Sequence, residues 1–253
     1  MSWIPGARFH HDDRDERARV NPQLLLTLLL AGIAALDATP VAQTLMSQPL
    51  ITATLVGLLW GQWVLALKVG IVLQLFAAGT MPVGSRTPED YGTGGVIGAS
   101  AAAMLAQLVP FSMAHEASAL VGTLVGLFAA LLGVPLIKWQ RRRNEGLSRW
   151  CEAALTQGDL SAPGKASLAG VVMAFGIAVV FCAAFLALTA GLLAPLVQHH
   201  SMRLARAWTL AQPVWLGLGL ALLLTAFIQR RFMRAALFGV GLVVGWILLL
   251  VRG

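Results

Sequence analysis

Long apolar runs separated by short polar segments make up most of the chain. The runs begin at Leu24, Leu50, Val64, Gly92, Ala117, Ala166, Ala207 and Ala235. Several of them reach the roughly 20 residues that a helix needs to cross a bilayer core of about 30 Å. The pattern predicts an all-α, polytopic integral membrane protein with about seven to nine hydrophobic helical segments, some of them broken or re-entrant.

Two runs near the middle of the first half are short for a full crossing. The segments 50–60 and 64–78 are separated by Gly61-Gln62. Short apolar segments interrupted by Gly indicate broken helices around a transporter site. Just before them, the segment that begins at Asp37 places one Asp, a Pro and two Gln at membrane depth. Irregular backbone is tolerated there only where protein or a water-filled cavity satisfies it.

The composition excludes a soluble globular class. Of the 253 residues, 58% are hydrophobic and 11% are charged, against about 45–50% apolar and about 25% charged residues in soluble domains. The net charge of +7 comes from Lys and Arg in short clusters between apolar runs. No nucleic acid partner is expected, because such partners require a basic stripe on one face. The cluster "KWQRRRNEGLSRW" is instead expected in the cytoplasm under the positive-inside rule.

Four regions follow from these runs. They are a polar N-terminal tail (1–21), a membrane half with the broken helices (22–143), a cytoplasmic linker (144–165) and a second membrane half (166–253). The segment 92–113 is dense in small residues and is predicted to pack inside the protein, because small residues let helix backbones approach closely in lipid. The turn at His199-His200 is expected on the side opposite the linker.

Gln74 is the first candidate for binding chemistry. On a helix from Val64 to Ala78, Ala66, Gly70 and Gln74 share one face at spacings of four. That face is small apart from the single amide, and an unsatisfied polar group in the membrane costs several kcal/mol. Two roles stay open, a hydrogen bond to a neighbouring helix and a contact with a transported solute.

The segment "TMPVGSRTPEDYG" after Gly79 is predicted as an irregular loop, since it holds two Pro and two Gly. Arg86, Glu89 and Asp90 either form an ion pair that closes this loop or contact a ligand. Lys68 lies on another face of the preceding helix, where a long cationic side chain usually extends to the interface.

Catalytic residues, a metal site and a cofactor are not expected. The chain has no phosphate-binding loop, zinc-binding helix or nucleophile elbow. Cys151 and Cys182 have no metal-ligand spacing. His115 is expected to be a hydrogen-bonded loop histidine.

Two stretches of the first half carry a resemblance. "AGIAALDATPVAQTLMSQPLITATLVGLLWGQ" followed by "KVGIVLQLFAAGTMPVGSRTPED" resembles the IIC subunit of the mannose/fructose/sorbose family of phosphotransferase system permeases. The match covers roughly residues 22–110. The counterparts are Asp37, Gln48-Pro49, Leu55-Val56-Gly57, Gly61-Gln62, Gly70, Leu73-Gln74, Gly79, Gly84, Pro88 and Asp90.

The resemblance implies a sugar permease subunit of the bacterial inner membrane. Such a subunit pairs with a IID membrane subunit and delivers sugar to cytoplasmic IIB, which is served by IIA, in a hetero-oligomer within the lipid bilayer. The phosphorylated histidine belongs to IIB, so this chain is not expected to be an enzyme by itself. Together with the polar residues above, the resemblance gives Asp37, Gln43, Gln74 and Asp90 as the expected sugar-binding residues.

Three positions depart from the family pattern. Gln48, Gln62 and Gln74 stand where the family usually has Arg, Asp and Glu. An amide still hydrogen-bonds sugar hydroxyls, but it cannot act as a general base. A working permease and a transport-deficient regulatory or scaffolding subunit therefore both remain open, as does an unrelated small-solute channel or transporter.

Overall fold

The computed structural model describes residues 22–38, 45–79, 87, 89–109, 114–227 and 231–252. Within these ranges all regular structure is helical. In chain order the helices are α1 (Pro22–Ala38), α2 (Pro49–Leu59), α3 (Trp63–Gly79), α4 (Tyr91–Leu108), α5 (Ala114–Thr156), α6 (Ala162–Leu188), a π-helical turn (Thr189–Leu193), α7 (Ala194–Phe227) and α8 (Arg231–Arg252). The all-α prediction is confirmed, and the predicted tail lies outside the described residues.

α2 and α3 form the broken pair that the sequence predicts. They have 11 and 17 residues, or about 17 and 26 Å at 1.5 Å per residue. The turn between them is a Schellman motif, in which the Gln62 N–H donates to the Gly57 carbonyl at 2.8 Å. Gly61 has a φ of +66°, a conformation that costs other residues about 1–2 kcal/mol. Gly61 therefore ends α2 and lets the chain reverse into α3.

Glycines bring α4 and α5 into backbone contact. A Cβ on Gly98 would lie 2.7 Å from the carbonyl oxygen of Gly122, and a Cβ on Gly94 would lie 2.7 Å from that of Gly126. Residues 92–105 of α4 are all buried. The small-residue segment therefore packs at the centre of the described structure, as the sequence predicts.

α5 is longer than the sequence indicates. The apolar pattern predicts a spanning helix up to Ile137 and a basic loop after it, but the helix continues to Thr156 and has 43 residues, or about 65 Å. The basic segment and much of the predicted linker are thus helical. The reason is local: this segment is rich in Arg, Glu, Leu and Gln, which have high helix propensity, and the only Pro of α5 is Pro135.

Asp159 closes the turn between α5 and α6. Its carboxylate accepts hydrogen bonds from the Ser161 N–H at 2.9 Å and the Ser161 hydroxyl at 2.5 Å. It also pairs with the Lys165 ammonium at 3.2 Å. The hydrogen bonds from Ser161, followed by that from Lys165, lower the pKa of Asp159. The chain therefore turns here over a few residues instead of through a long linker.

Helices of the second half pack against those of the first. Phe175 of α6 lies against Gly32 of α1, and Leu222 of α7 lies against Gly79 of α3. Backbone angles leave the helical region at His200 (φ −119°, ψ 17°). The division into two membrane halves stays a prediction.

The bundle has a basic end and an opposite end. The basic end is marked by residues 138–149 of α5, and the opposite end by Gln198, whose side-chain amide donates to the Leu108 carbonyl at 3.3 Å. Of the described helices, α5 and the helical stretch 162–224, which is interrupted at His200, are long and apolar enough to cross a membrane. After His200, α7 runs back towards the basic end.

Candidate functional site

The side chains of Gln48 and Gln74 meet where α2 begins. The Gln74 amide donates from Nε2 to Oε1 of Gln48 at 2.8 Å, and its own Oε1 accepts from the Leu50 N–H at 3.2 Å. Both glutamines are half-buried. We call these two side chains the amide pair.

Gly70 allows α3 to come close enough for this contact. A Cβ on Gly70 would lie 2.7 Å from the Cβ of Ala53 and 3.2 Å from the Pro49 carbonyl oxygen. One helical turn later, Gln74 therefore reaches the first residues of α2. The small face of α3 predicted from the sequence serves this purpose.

Gln74 acts as the N-terminal cap of α2 from another helix. The first N–H groups of a helix lack partners within that helix. Pro49 has no N–H, and the N-cap residue Gln48 makes no capping bond with its own side chain. The Gln74 oxygen satisfies the Leu50 N–H instead. The predicted bond to a neighbouring helix is thus present, and the role in solute contact stays a prediction.

Asp37 fixes the segment that leads into α2. Its side chain is 5% exposed, and Oδ2 accepts from the Ser47 N–H at 2.8 Å. This bond connects the end of α1 to the residue before Gln48. Gln43, the neighbouring candidate, lies outside the described residues.

Leu45, at the start of the described part of this segment, has a φ of +72°. A bulky residue rarely adopts this conformation. Such strain is typical of functional sites, where the surrounding structure holds it in place. The Leu45 carbonyl accepts from the Gln48 N–H at 3.0 Å, so the strained turn directly positions one member of the amide pair.

Asp90 is the N-cap of α4. Its Oδ1 accepts from the Thr93 N–H at 3.1 Å, and its own N–H donates to the Ala130 carbonyl of α5 at 3.1 Å. A Cβ on Gly133 would lie 2.7 Å from the Cβ of Asp90. Asp90 thus has a clear anchoring role, and contact with a ligand stays a prediction. Arg86, its predicted ion-pair partner, lies outside the described residues.

The start of α4 packs against the same segment, residues 45–50, from another side. A Cβ on Gly92 would lie 2.7 Å from the Ser47 carbonyl oxygen. The structure therefore brings Asp37, Gln74 and the α4 N-terminus around one short segment, residues 45–50. Because Asp90 contacts α5 near Gly133, five residues before Lys138, the site lies in the half of the bundle nearer the basic end.

Gln62 lies at the other end of the α2–α3 hairpin. Its Oε1 is 3.1 Å from Nε2 of His115. The expected hydrogen bond of this histidine is present, but the loop prediction is wrong, because His115 lies in the first turn of α5. Gln62, His115 and Lys68 line a cavity of about 230 Å³. Two of the three glutamines that depart from the family pattern are therefore paired, and the third is remote from them. Sequence reasoning missed that pairing, since it depends on how α2 and α3 are aligned.

Comparison with known proteins decides the family. The family model described as the sorbose-specific IIC component of the phosphotransferase system matches residues 22–250. The chain belongs to this IIC family. The match extends the resemblance from the first half to nearly the whole sequence. It sets aside the alternative of an unrelated small-solute channel.

A solved structure described as "Structure of membrane protein" has a similar fold. It aligns with a TM-score of 0.60 at 18% sequence identity, covering 92% of this chain and 95% of the other. Among curated proteins, none matches this chain significantly. The IIC chain is accordingly a helical membrane protein of the phosphotransferase system, in a family of sugar permease components.

Proposed function

We propose that this IIC chain binds a hexose-like sugar at the amide pair and releases it towards the cytoplasm, where a IIB partner phosphorylates it. The observation that carries the proposal is the meeting of Gln48 and Gln74 at the start of a broken helix. Asp37 and the strained turn at Leu45 hold this segment in place. Broken helices within the membrane are where transporters bind their substrates.

The amide pair has the right chemistry for a neutral, hydroxyl-rich solute. An amide offers two N–H donors and two lone pairs. Gln74 uses one N–H on Gln48 and one lone pair on Leu50, which leaves one of each. Sugar hydroxyls both donate and accept, so they match such a site without a countercharge.

The two substitutions at the pair preserve its net charge. The resemblance gives Arg and Glu at positions 48 and 74, and these opposite charges would face each other across the contact that the two glutamines make here. Exchanging both for amides replaces an ion pair by a hydrogen-bonded neutral pair. Coordinated replacement favours a site that is still used over one that has decayed.

The proton of the phosphorylated hydroxyl needs another acceptor. An amide at position 74 cannot accept it. We assign that step to IIB: when its phosphohistidine gives up the phosphoryl group to the sugar oxygen, the histidine nitrogen takes the proton that the hydroxyl loses. The IIC chain contributes binding and orientation of the sugar.

The expected setting is the bacterial inner membrane, with IID as the membrane partner. The exposed apolar surface of α8 favours a hetero-oligomer. Among the described helices it packs mainly on α7, and its apolar side chains such as Trp246 (67% exposed) and Leu250 (69%) face outwards. Such a surface fits lipid and a second membrane subunit.

Sugar uptake in cells tests this function. Cells that lack other permeases of this type would express the chain with its IIB and IID partners and receive a panel of radiolabelled hexoses and amino sugars. We expect accumulation of a sugar phosphate. Gln74→Leu should abolish it, and Gln198→Leu, an amide change at the opposite end, should not. No accumulation by an assembled wild-type complex would reject the proposal.

A transport-deficient regulatory subunit is the second candidate, favoured by the loss of three charged residues. The variant Gln48→Arg/Gln74→Glu separates the two functions. A regulatory or scaffolding subunit should support no sugar phosphorylation before or after the change, so a gain in this variant would count against that role. A working permease with an amide site should transport before the change as well as after it.

A further inference from the structure

A cleft of about 430 Å³ opens between α5 and the start of α6, at the basic end and apart from the amide pair. This volume is in the range of small-molecule sites, about 300–1,000 Å³. Polar side chains line much of it. Those on α5 are Gln140, Arg141, Asn144 and Ser148, and α6 adds Ser167.

Arg141 gives the cleft its charge. One guanidinium nitrogen is 3.4 Å from the Thr87 hydroxyl, a long contact for a group with five N–H donors. No carboxylate of the described residues forms an ion pair with Arg141. The surrounding segment 138–149 holds five basic residues and one acidic residue. The cleft is therefore suited to an anion.

The cleft lies where the apolar part of α5 ends. Next to it, the Arg143 guanidinium lies 5.3 Å from the ring centroid of Trp139, and Trp is typical of the membrane interface. On α6, Leu168 (64% exposed) and Val172 (61%) are apolar side chains that directly follow the lining residues Ser167 and Val171 in sequence. The cleft therefore lies close to an interface-type Trp and to exposed apolar side chains, where a lipid headgroup would be expected.

We propose that this cleft binds the headgroup of an anionic phospholipid. Arg141 would hold the phosphate with two parallel N–H donors, the geometry in which a guanidinium binds phosphate best. The amides and hydroxyls beside it would bond the headgroup alcohol, and the acyl chains would lie along Leu168 and Val172. Basic pockets between membrane helices on the cytoplasmic side bind such headgroups. A soluble phosphate ester shares the phosphate chemistry but makes no use of Leu168 and Val172.

The contact with Thr87 connects the cleft to the candidate sugar site. Thr87 lies three residues before Asp90, the N-cap of α4. A lipid that holds Arg141 in place would also hold Thr87 through this hydrogen bond. Anionic lipid is therefore expected to stabilise the start of α4.

Native mass spectrometry of the full chain tests the assignment, with phosphatidylglycerol and phosphatidylcholine offered in equal amounts. The wild type should retain phosphatidylglycerol preferentially. Arg141→Gln should reduce this retention about tenfold, the effect of losing a charged hydrogen-bonding group. Arg142→Gln removes the same charge from the neighbouring position outside the cleft and should leave retention close to the wild-type value.

Gly170→Leu gives a second variant without a charge change. A Cβ on Gly170 would lie 3.8 Å from Oδ1 of Asn144, so a leucine should fill the cleft and displace the lipid. This variant carries the test if Arg141→Gln does not fold. Equal retention of both lipids by the wild type, equal losses in the two arginine variants, or displacement of the lipid by a soluble hexose phosphate would overturn the proposal.

Discussion

Gln74 makes two hydrogen bonds to the start of α2 with one side chain. Its oxygen caps α2 through the Leu50 N–H, and its nitrogen holds Gln48. The sequence predicts that an amide at this depth needs a partner, because an unsatisfied one costs several kcal/mol. It does not identify the partner, since a slide of one turn between α2 and α3 would bring a different residue to Gln74.

The double role gives a graded prediction for substitutions. Gln74→Leu removes the cap and leaves Gln48 without its partner, so the free energy of unfolding should fall by about 1–2 kcal/mol. Gln74→Glu keeps an acceptor for the Leu50 N–H, and the Gln48 amide can rotate to donate to it. The free energy of unfolding of Gln74→Glu should therefore fall by less than that of Gln74→Leu. Thermal unfolding in detergent measures both, and equal losses would contradict the capping role.

At the scale of elements, glycine positions decide which helices touch. Gly94 lies against Gly126 and Gly98 lies against Gly122, so the backbones of α4 and α5 are in contact. The density of small residues in 92–113 makes the burial of α4 predictable. The length of α5 is not predictable in the same way, because a charge cluster indicates the side of the membrane but does not distinguish a loop from a solvated helix.

Two glycine substitutions test the α4–α5 contact. Gly98→Ala would place a Cβ 2.7 Å from the Gly122 carbonyl oxygen, and overpacking of this kind costs about 1–3 kcal/mol. Gly176→Ala on α6 meets nothing within 4 Å and should be neutral or stabilising by up to about 1 kcal/mol. Unfolding temperatures of the purified variants give the comparison. Equal effects would show that the contact is looser than described.

The stability of the turn between α5 and α6 should depend on pH through the carboxylate of Asp159. Hydrogen bonds from Ser161 lower its pKa below the ordinary value of 3.8, so its stabilisation is complete above that value and is lost as the pH falls below it. The protection factors for hydrogen exchange at residues 157–165, which compare each rate with the intrinsic rate at the same pH, should therefore fall at acid pH in the wild type. In the Asp159→Asn variant they should already be low at neutral pH. Exchange in this variant that matches the wild type at neutral pH would contradict the role of the carboxylate.

At the scale of the whole molecule, the structure places the candidate site near the basic end. Under the positive-inside rule we propose that this is the cytoplasmic end. A site at this depth is close to where a cytoplasmic partner would receive the sugar. The sequence predicts the broken hairpin from Gly61 and the short runs, but the three-sided closure around residues 45–50 depends on contacts between α1, α3 and α4 that no local pattern contains.

Cysteine labelling tests this orientation. Cys151 lies on the extension of α5 and is half-buried, and Cys182 is buried. A membrane-impermeant maleimide should label Cys151 in inverted vesicles and not in intact cells. In a Cys151→Ser background, Met202→Cys, a position near His200 that is 57% exposed, should show the reverse. Labelling of both positions from one side would contradict the topology.

Direct sugar binding tests the central claim that the amide pair is the sugar site. Purified chain would be titrated with the sugar identified by uptake, by isothermal calorimetry, alongside Gln74→Leu, Gln74→Glu and Gln198→Leu. The proposal predicts saturable binding by the wild type and by Gln198→Leu, and its loss in Gln74→Leu protein that remains folded. Unchanged binding by folded Gln74→Leu would place the sugar site elsewhere in the chain.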